Sequence, residues 1–171
     1  MNYQEIKPSA IQDNFFNRIG ADWMLAGAGT PDSFNAMTAS WGQVGVLWNR
    51  PVATMYIRPQ RYTRVFADRD DRFSLSFFRP GQQREALGVM GSKSGRYCDK
   101  AAEAGLSFSG FGPHNIAAAD DAALILICRK IYHQDIAENL FLDPSIVADF
   151  YPEKDFHRMY VGEIEQVFIP G

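Results

Sequence analysis

The run Ala122-Ala123-Leu124-Ile125-Leu126-Ile127-Cys128 is apolar without alternation. A strand exposed on one face would alternate, so this one must be covered on both faces. At seven residues it is also far short of the roughly 20 needed to cross a bilayer as a helix. The chain must therefore supply further layers around it, and several other segments read as strands. Trp23–Ala28 is apolar and closed by the turn chemistry of Gly29-Thr30-Pro31-Asp32, with a hairpin partner expected from Phe34 into Ser40. Gly42 to Gly45 breaks that pattern and Val46 to Trp48 resumes it, before Pro51 restricts Arg50. Val52–Ile57, the aromatic-rich Phe73–Phe78 and Met159–Ile169 complete the set, and Arg129 to Ile136 prolongs the apolar run as a more polar extension. In the last strand, Val161, Val167 and Ile169 read as one face and Ile164 and Phe168 as the other, with Gly162 marking a bulge.

Helix signals are short. Phe15, Phe16 and Ile19 suggest one contact face ending near Gly20. Thr63 reads as the cap of a helix from Arg64 to about Asp68, Gln82–Met90 as a helix opened by Pro80 and ended by Gly91, and Asp99 as the cap of Lys100–Ala104 with Gly105 beyond it. Pro144–Phe150 behind Asp143 is a further candidate. Roughly six or seven strands with three or four short helices suit a closed β-barrel with helices at its edges, although the pattern alone leaves barrel and sandwich undecided.

At 171 residues and 46% hydrophobic, one domain with a real core is expected over residues 1–171, with residues 1–21 as an N-terminal extension packing on it. A net charge of −3 carries no basic footprint for nucleic acid. Cys98 and Cys128 are too few and too far apart for a C-x-x-C motif or a disulfide scaffold, and read as free thiols. The N-terminus lacks the basic and apolar regions of a signal peptide, so a soluble, cytoplasmic protein is expected, with no membrane contact. His114 and His133 have no ligand spacing with His157, which argues against a metal site, and the absence of G-x-S-x-G removes support for Ser–His hydrolysis.

The candidate chemistry sits between Ser33 and Thr63. Met37 to Trp41 sets small residues, Thr38, Ala39 and Ser40, between two large apolar ones, and can lay its backbone along a planar ligand while the hydroxyls and amides meet a polar ring edge. From the residues alone, Met37 and Trp41 read more simply as core. Arg58, Arg61 and Thr63 place two guanidinium groups and a hydroxyl around the rigid Pro59, which suits a phosphate. One of these arginines can instead form a structural ion pair with Asp68 or Asp70. A second anion candidate is Gly91 to Arg96: Lys93 and Arg96 supply charge, Ser92 and Ser94 hydroxyls, and the two glycines permit φ > 0 turns. It is not a P-loop, because Ser92 precedes the Lys, and a solvated glycine-rich loop is the plainer reading.

Three separated motifs carry a resemblance: N-A-M-T-A-S-W-G with Y-I-R-P-Q-R-Y-T, then G-S-K-S-G-R-Y-C-D-K-A-A-E-A-G-L, then H-R-M-Y-V-G-E-I-E-Q-V. In this order they resemble the flavin reductase-like group of FMN-binding split barrels, which includes the flavoredoxins, over roughly Trp23 to Ile169. The resemblance implies a split β-barrel and bound FMN, with Asn35, Met37, Thr38, Ala39, Ser40 and Trp41 along the flavin ring. It also implies that His157 lies near the flavin and the incoming nicotinamide as a catalytic residue, though a lone histidine is more often structural. NADH or NADPH would dock transiently, since no Rossmann fingerprint is present, and a homodimer with FMN near the interface is implied. The activity implied is an NAD(P)H-dependent flavin reductase; a flavoredoxin-like carrier serving a redox partner protein and a non-catalytic ligand-binding barrel are the alternatives. Tyr97-Cys98 departs from the usual motif, in which an acidic residue often follows the arginine.

Overall fold

The computed structural model describes residues 2–171. Its strands are β1 (Tyr3–Ile6), β2 (Met24–Thr30), β3 (Ser33–Ala39), β4 (Gly42–Leu47), β5 (Arg50–Ile57), β6 (Arg72–Phe77), β7 (Phe108–Phe111), β8 (Ile116–Ala119), β9 (Leu124–Asp135) and β10 (Arg158–Pro170). The α-helices are α1 (Phe15–Gly20), α2 (Thr63–Arg69), α3 (Arg84–Ser92), α4 (Lys100–Glu103) and α5 (Pro144–Phe150). One antiparallel sheet runs in the order β3-β2-β6-β9-β10-β5-β4, with β1 added on β10, and β7-β8 forms a separate hairpin.

β3 and β4 stand at opposite ends of that order, yet only Ser40 and Trp41 join them. Ala39 and Gly42 are three residues apart, a reach of about 10 Å at most. The sheet must therefore roll up until its two ends meet, and Ser40-Trp41 crosses the seam without pairing the edges. The inward residues alternate along each strand: Met24, Ala26 and Ala28, then Phe73, Leu75 and Phe77, then Leu124, Leu126 and Cys128 fill the barrel. The intervening Leu25, Ile125 and Ile127 face outward into a second cluster, covered by Leu87 and Met90 of α3 and by Ile116 and Ala118 of β8. That double covering explains the unbroken apolar run.

Several sequence expectations need correction. Gly42 to Gly45 does not interrupt the sheet; it is β4, and the turn to β5 is made by Trp48 and Asn49 at φ of 53° and 57°. Both residues have the left-handed backbone of a two-residue hairpin turn, for which Asn alone was a signal. Helix α3 starts four residues after Pro80 and continues through Gly91 to Ser92. Thr63 is the first residue of α2 rather than its cap: it is buried, and its Oγ1 accepts from Asn35 Nδ2 at 2.6 Å. In β10 the bulge at Gly162 is present, but a second one between Ile164 and Gln166 reverses the faces, so Ile164 and Val167 both enter the barrel core. Residues 3–6 are a strand of the sheet itself, and the hairpin β7-β8 has no counterpart in the sequence reading. Asp99 and Asp143 do cap α4 and α5.

Candidate functional site

The barrel seam opens into a cleft of about 240 Å³, lined by Met37, Thr38, Ala39, Ser40, Trp41, Tyr56, Arg58, Arg61 and His157. Three elements build it. The end of β3 supplies one wall, with Met37 and Ala39 rooted in the barrel core and Thr38 facing α3, where its Oγ1 donates to Leu87 O at 2.6 Å. Thr38 thus keeps only acceptor capacity toward a ligand. The two alternatives for Met37 and Trp41 divide here: Met37 is 6% exposed and part of the core, whereas Trp41 is 39% exposed on the cleft. Its ring meets those of Phe150 at 5.4 Å and His157 at 4.9 Å.

The turn after β5 supplies the cations, held in place by Arg61 N donating to Arg58 O at 3.1 Å. Arg58 does form an ion pair, but neither with Asp68 nor with Asp70: its partner is Asp155 at 2.5 Å, and its Nη2 donates to Phe150 O at 2.8 Å. Asp68 instead serves Arg158, Arg64 and Tyr160, and Asp70 serves Arg69. Asp155 also accepts from Gln60, and these contacts hold its carboxyl below the usual carboxylate range.

Arg61 has no carboxylate. Its Nη1 donates to Gly91 O at 2.7 Å, while Nη2 is enclosed and, among the described residues, is the only buried side-chain polar atom lacking a partner. Burial lowers its pKa. Lys100, 5% exposed, is a second enclosed cation: its Nζ reaches only Met90 O at 3.3 Å, and burial together with the charge of Arg61 pushes its pKa down to about 8. Enclosed charge without a counter-ion is costly, and an anion would relieve it.

The start of β10 brings His157, 8% exposed, with Nδ1 at 2.8 Å from the buried Tyr151 hydroxyl. Burial first, then the charge of Arg58, pushes the His157 pKa down to about 4, so the ring is neutral near pH 7. Burial raises the Tyr151 phenol, which keeps its proton. When that hydroxyl donates to Nδ1 the imidazole proton is on Nε2, and when it accepts from Nδ1–H the proton is on Nδ1.

The remaining sequence candidates lie outside the cleft. Asn35 and Thr63 are bonded to each other behind it. Gly91 and Gly95 are not in the φ > 0 region expected of them, and Gly91 is helical. Ser92 Oγ donates back to Gly88 O, Lys93 pairs with Glu103, and Ser94 O accepts from Tyr97 N. Arg96 stacks over Tyr62 at 5.0 Å with Nη1 toward Gln60 O at 3.4 Å. With the Arg61 to Gly91 bond, this contact makes the two expected anion segments neighbours. Tyr56, Tyr151, Asp155 and Lys100 were not singled out from sequence. Tyr56 and Lys100 both lie inside the motifs that carry the resemblance, but nothing in the sequence marks Lys100 as buried.

No family model matches the chain, and no curated protein matches it. Solved structures do. The chain is similar to an FMN-binding domain of a flavin reductase-like enzyme from Shewanella baltica, at 15% identity and a TM-score of 0.70, covering 98% of this chain and 77% of that one. It is similar to a flavoredoxin from Methanosarcina acetivorans, at 20% identity and a TM-score of 0.65, covering 94% and 75%. A third is the NADH:FAD oxidoreductase of Streptomyces globisporus C-1027 in complex with NAD and FAD fragments, at 13% identity and a TM-score of 0.64, covering 87% and 74%. The chain thus has the fold of the FMN-binding split barrels. Among the described residues, no helix is long and apolar enough to cross a membrane.

Proposed function

We propose that this protein is an FMN-binding oxidoreductase of the flavin reductase type, taking a hydride from NADH or NADPH. The observation that carries the reading is the enclosed, unpartnered Nη2 of Arg61, a residue that lines the same cleft as the Met37–Trp41 wall. A flat ring against that wall with a phosphate toward Arg61 satisfies both. Bound FMN would supply the two-electron chemistry; the chain's own residues bind, orient and manage protons. Met37 to Trp41 would form the surface for the ring, and Thr38 Oγ1 and Ser40 would offer hydrogen bonds to its polar edge. Arg61 would hold the phosphate with Lys100 behind it, whereas Arg58, matched by Asp155, shapes the cleft. In the tautomer that accepts the Tyr151 hydroxyl at Nδ1, neutral His157 would present Nε2–H to an incoming carboxamide. The dimer in this reading has FMN near its interface, and the exposed Val46, Leu47 and Trp48 of the β4–β5 hairpin offer an apolar surface to a second copy of the chain.

The test is the absorbance spectrum of the purified protein, followed by anaerobic NADH and then NADPH. A flavin band that bleaches with either nucleotide supports the reductase reading. A band that persists until dithionite is added replaces it with an electron carrier. No band after incubation with FMN overturns it.

A further inference from the structure

Two clefts flank the seam, the one described above and a larger apolar one between α1 and β4. A third cavity, of about 150 Å³, shares no lining residue with either. Lys100 lines it, together with Phe34, Ala36, Met90, Cys98 and Asp99. Lys100 Nζ and Arg61 Nη1 donate to consecutive carbonyls, Met90 O and Gly91 O, in the last turn of α3, so the two cations stand side by side at the end of that helix. Neither pairs with a carboxylate among the described residues. Arg61 Nη2 has no partner, and Asp99, the one acid on the cavity, is exposed and turns Oδ1 to Ala102 N at 3.1 Å. The Cys98 thiol donates to Ser94 O at 3.6 Å.

We propose that Lys100 is a carbon dioxide site: the gas enters this cavity and adds to Nζ, and the carbamate so formed lies against Arg61. The lone pair of the free amine forms the N–C bond, one C=O pair moves onto oxygen as the carboxylate charge, and the nitrogen releases one proton to solvent. No oxidant, reductant or further reactant is needed. The cavity is below the roughly 300–1,000 Å³ of ordinary small-molecule sites yet several times the roughly 30 Å³ of a water, which suits a small neutral electrophile. Burial and the charge of Arg61 hold the Lys100 pKa near 8, so the free amine that reacts is plentiful at mildly alkaline pH. The addition also turns two neighbouring like charges into opposite ones where solvent screens them poorly. One consequence rests on the flavin reading above: the carbamate would neutralise Arg61 and so compete with the FMN phosphate. The modification itself does not rest on it.

The full chain is equilibrated with ¹³C-bicarbonate and carbon dioxide near pH 8, observed by ¹³C NMR, and then treated with triethyloxonium, which ethylates carbamates so that peptide mass spectrometry can locate them. Trapped carbamate on Lys100 should exceed that on the exposed Lys7 at least about tenfold, because far more of the Lys100 amine is free. Lys100→Met should abolish its ¹³C resonance, and Arg61→Met should lower the trapped yield at least about threefold by removing the partner charge. FMN should bind at least about threefold more weakly under carbon dioxide than under nitrogen at one pH, in wild type and not in Lys100→Met. Trapping is read on the wild-type chain, so it stands even where a variant fails to fold. No label on Lys100, label no greater than on Lys7, or a yield indifferent to Arg61→Met overturns the proposal. Trapping on Lys100 in a protein that takes up no FMN keeps the carbamate and removes the flavin reading. FMN uptake without trapping does the reverse.

Discussion

Arg61→Met separates a ligand-binding cation from a structural one. In the free protein the substitution removes one charge-assisted bond, Nη1 to Gly91 O, but it also removes an enclosed guanidinium nitrogen that bonds to nothing. A bond to a charged group contributes about 1.5–3 kcal/mol, and leaving a buried polar group unsatisfied costs about 1–3 kcal/mol. The two nearly cancel, and methionine retains the apolar stem, so folding stability should change by less than about 1 kcal/mol in either direction. In the proposed FMN complex the variant lacks, in addition, the contact with the phosphate. That contact is of the same charge-assisted class, and at about 1.4 kcal/mol per decade its loss weakens FMN roughly 10- to 150-fold. Riboflavin has the ring without the phosphate and should bind as before, within about twofold by the same conversion. Fluorescence titrations of both ligands against wild type and variant, with a urea melt of each protein, measure all three quantities. Equal losses for FMN and riboflavin would refute the reasoning and make Arg61 a structural residue; so would a large loss of stability.

Four further outcomes follow from the same geometry. The fold lowers the His157 pKa to about 4, so the neutral ring is favoured; stability should be full above about 6.5 and fall as pH drops toward 4, by up to about 1.4 kcal/mol per pH unit. Urea melts at stepped pH should show that slope in wild type and a flatter one in His157→Gln. Tyr151→Phe removes the hydroxyl bonded to Nδ1; if that hydroxyl donates, the imidazole ¹⁵N shifts should go from the Nε2–H tautomer to a mixture while FMN affinity holds, and an unchanged tautomer would show that Tyr151 does not set it. A bound phosphate should raise the Lys100 pKa from about 8, so FMN affinity should fall as pH rises above 8, with proton uptake seen by calorimetry in two buffers and absent in Lys100→Met. In Gly162→Ala the new Cβ would lie 2.7 Å from Cys128 Cβ and against the Phe73 ring, an overpacking that should cost about 1–3 kcal/mol in denaturant melts.

The elements whose sequence period matches their environment were legible. The run at Ala122–Cys128 announced a strand covered on both faces, and the carboxylates Asp99 and Asp143 marked the two helices that they cap. Elements defined by long-range partners were not. β1 is short and pairs with β10 from the far end of the chain, so nothing local distinguishes it. The β4–β5 turn puts Trp48 in a left-handed backbone that its side chain does not favour, and only the pairing on both sides of it explains the conformation. The same limit applies to the site. Met37 to Trp41, Arg58, Arg61 and His157 were readable as a group and share one cleft. Their roles depend on partners remote in sequence: Asp155, 97 residues away, decides that Arg58 is matched, and nothing at comparable reach matches Arg61.

The position of the clefts follows from the way the barrel closes. A rolled sheet whose end strands paired would have a continuous wall with its backbone groups used. Here the end strands β3 and β4 are tied by Ser40-Trp41 too tightly to separate, yet they pair only with β2 and β5. The wall is therefore interrupted where two residues outside either strand are held beside the core, and a cleft opens on each side of them. The chain distributes its polar groups unequally across that line. The turn after β5 and the start of β10 bring Arg58, Arg61 and His157 to one side, while α1 brings Phe15 and Ile19 to the other. The difference between the two sides is set by the strand order before any ligand binds.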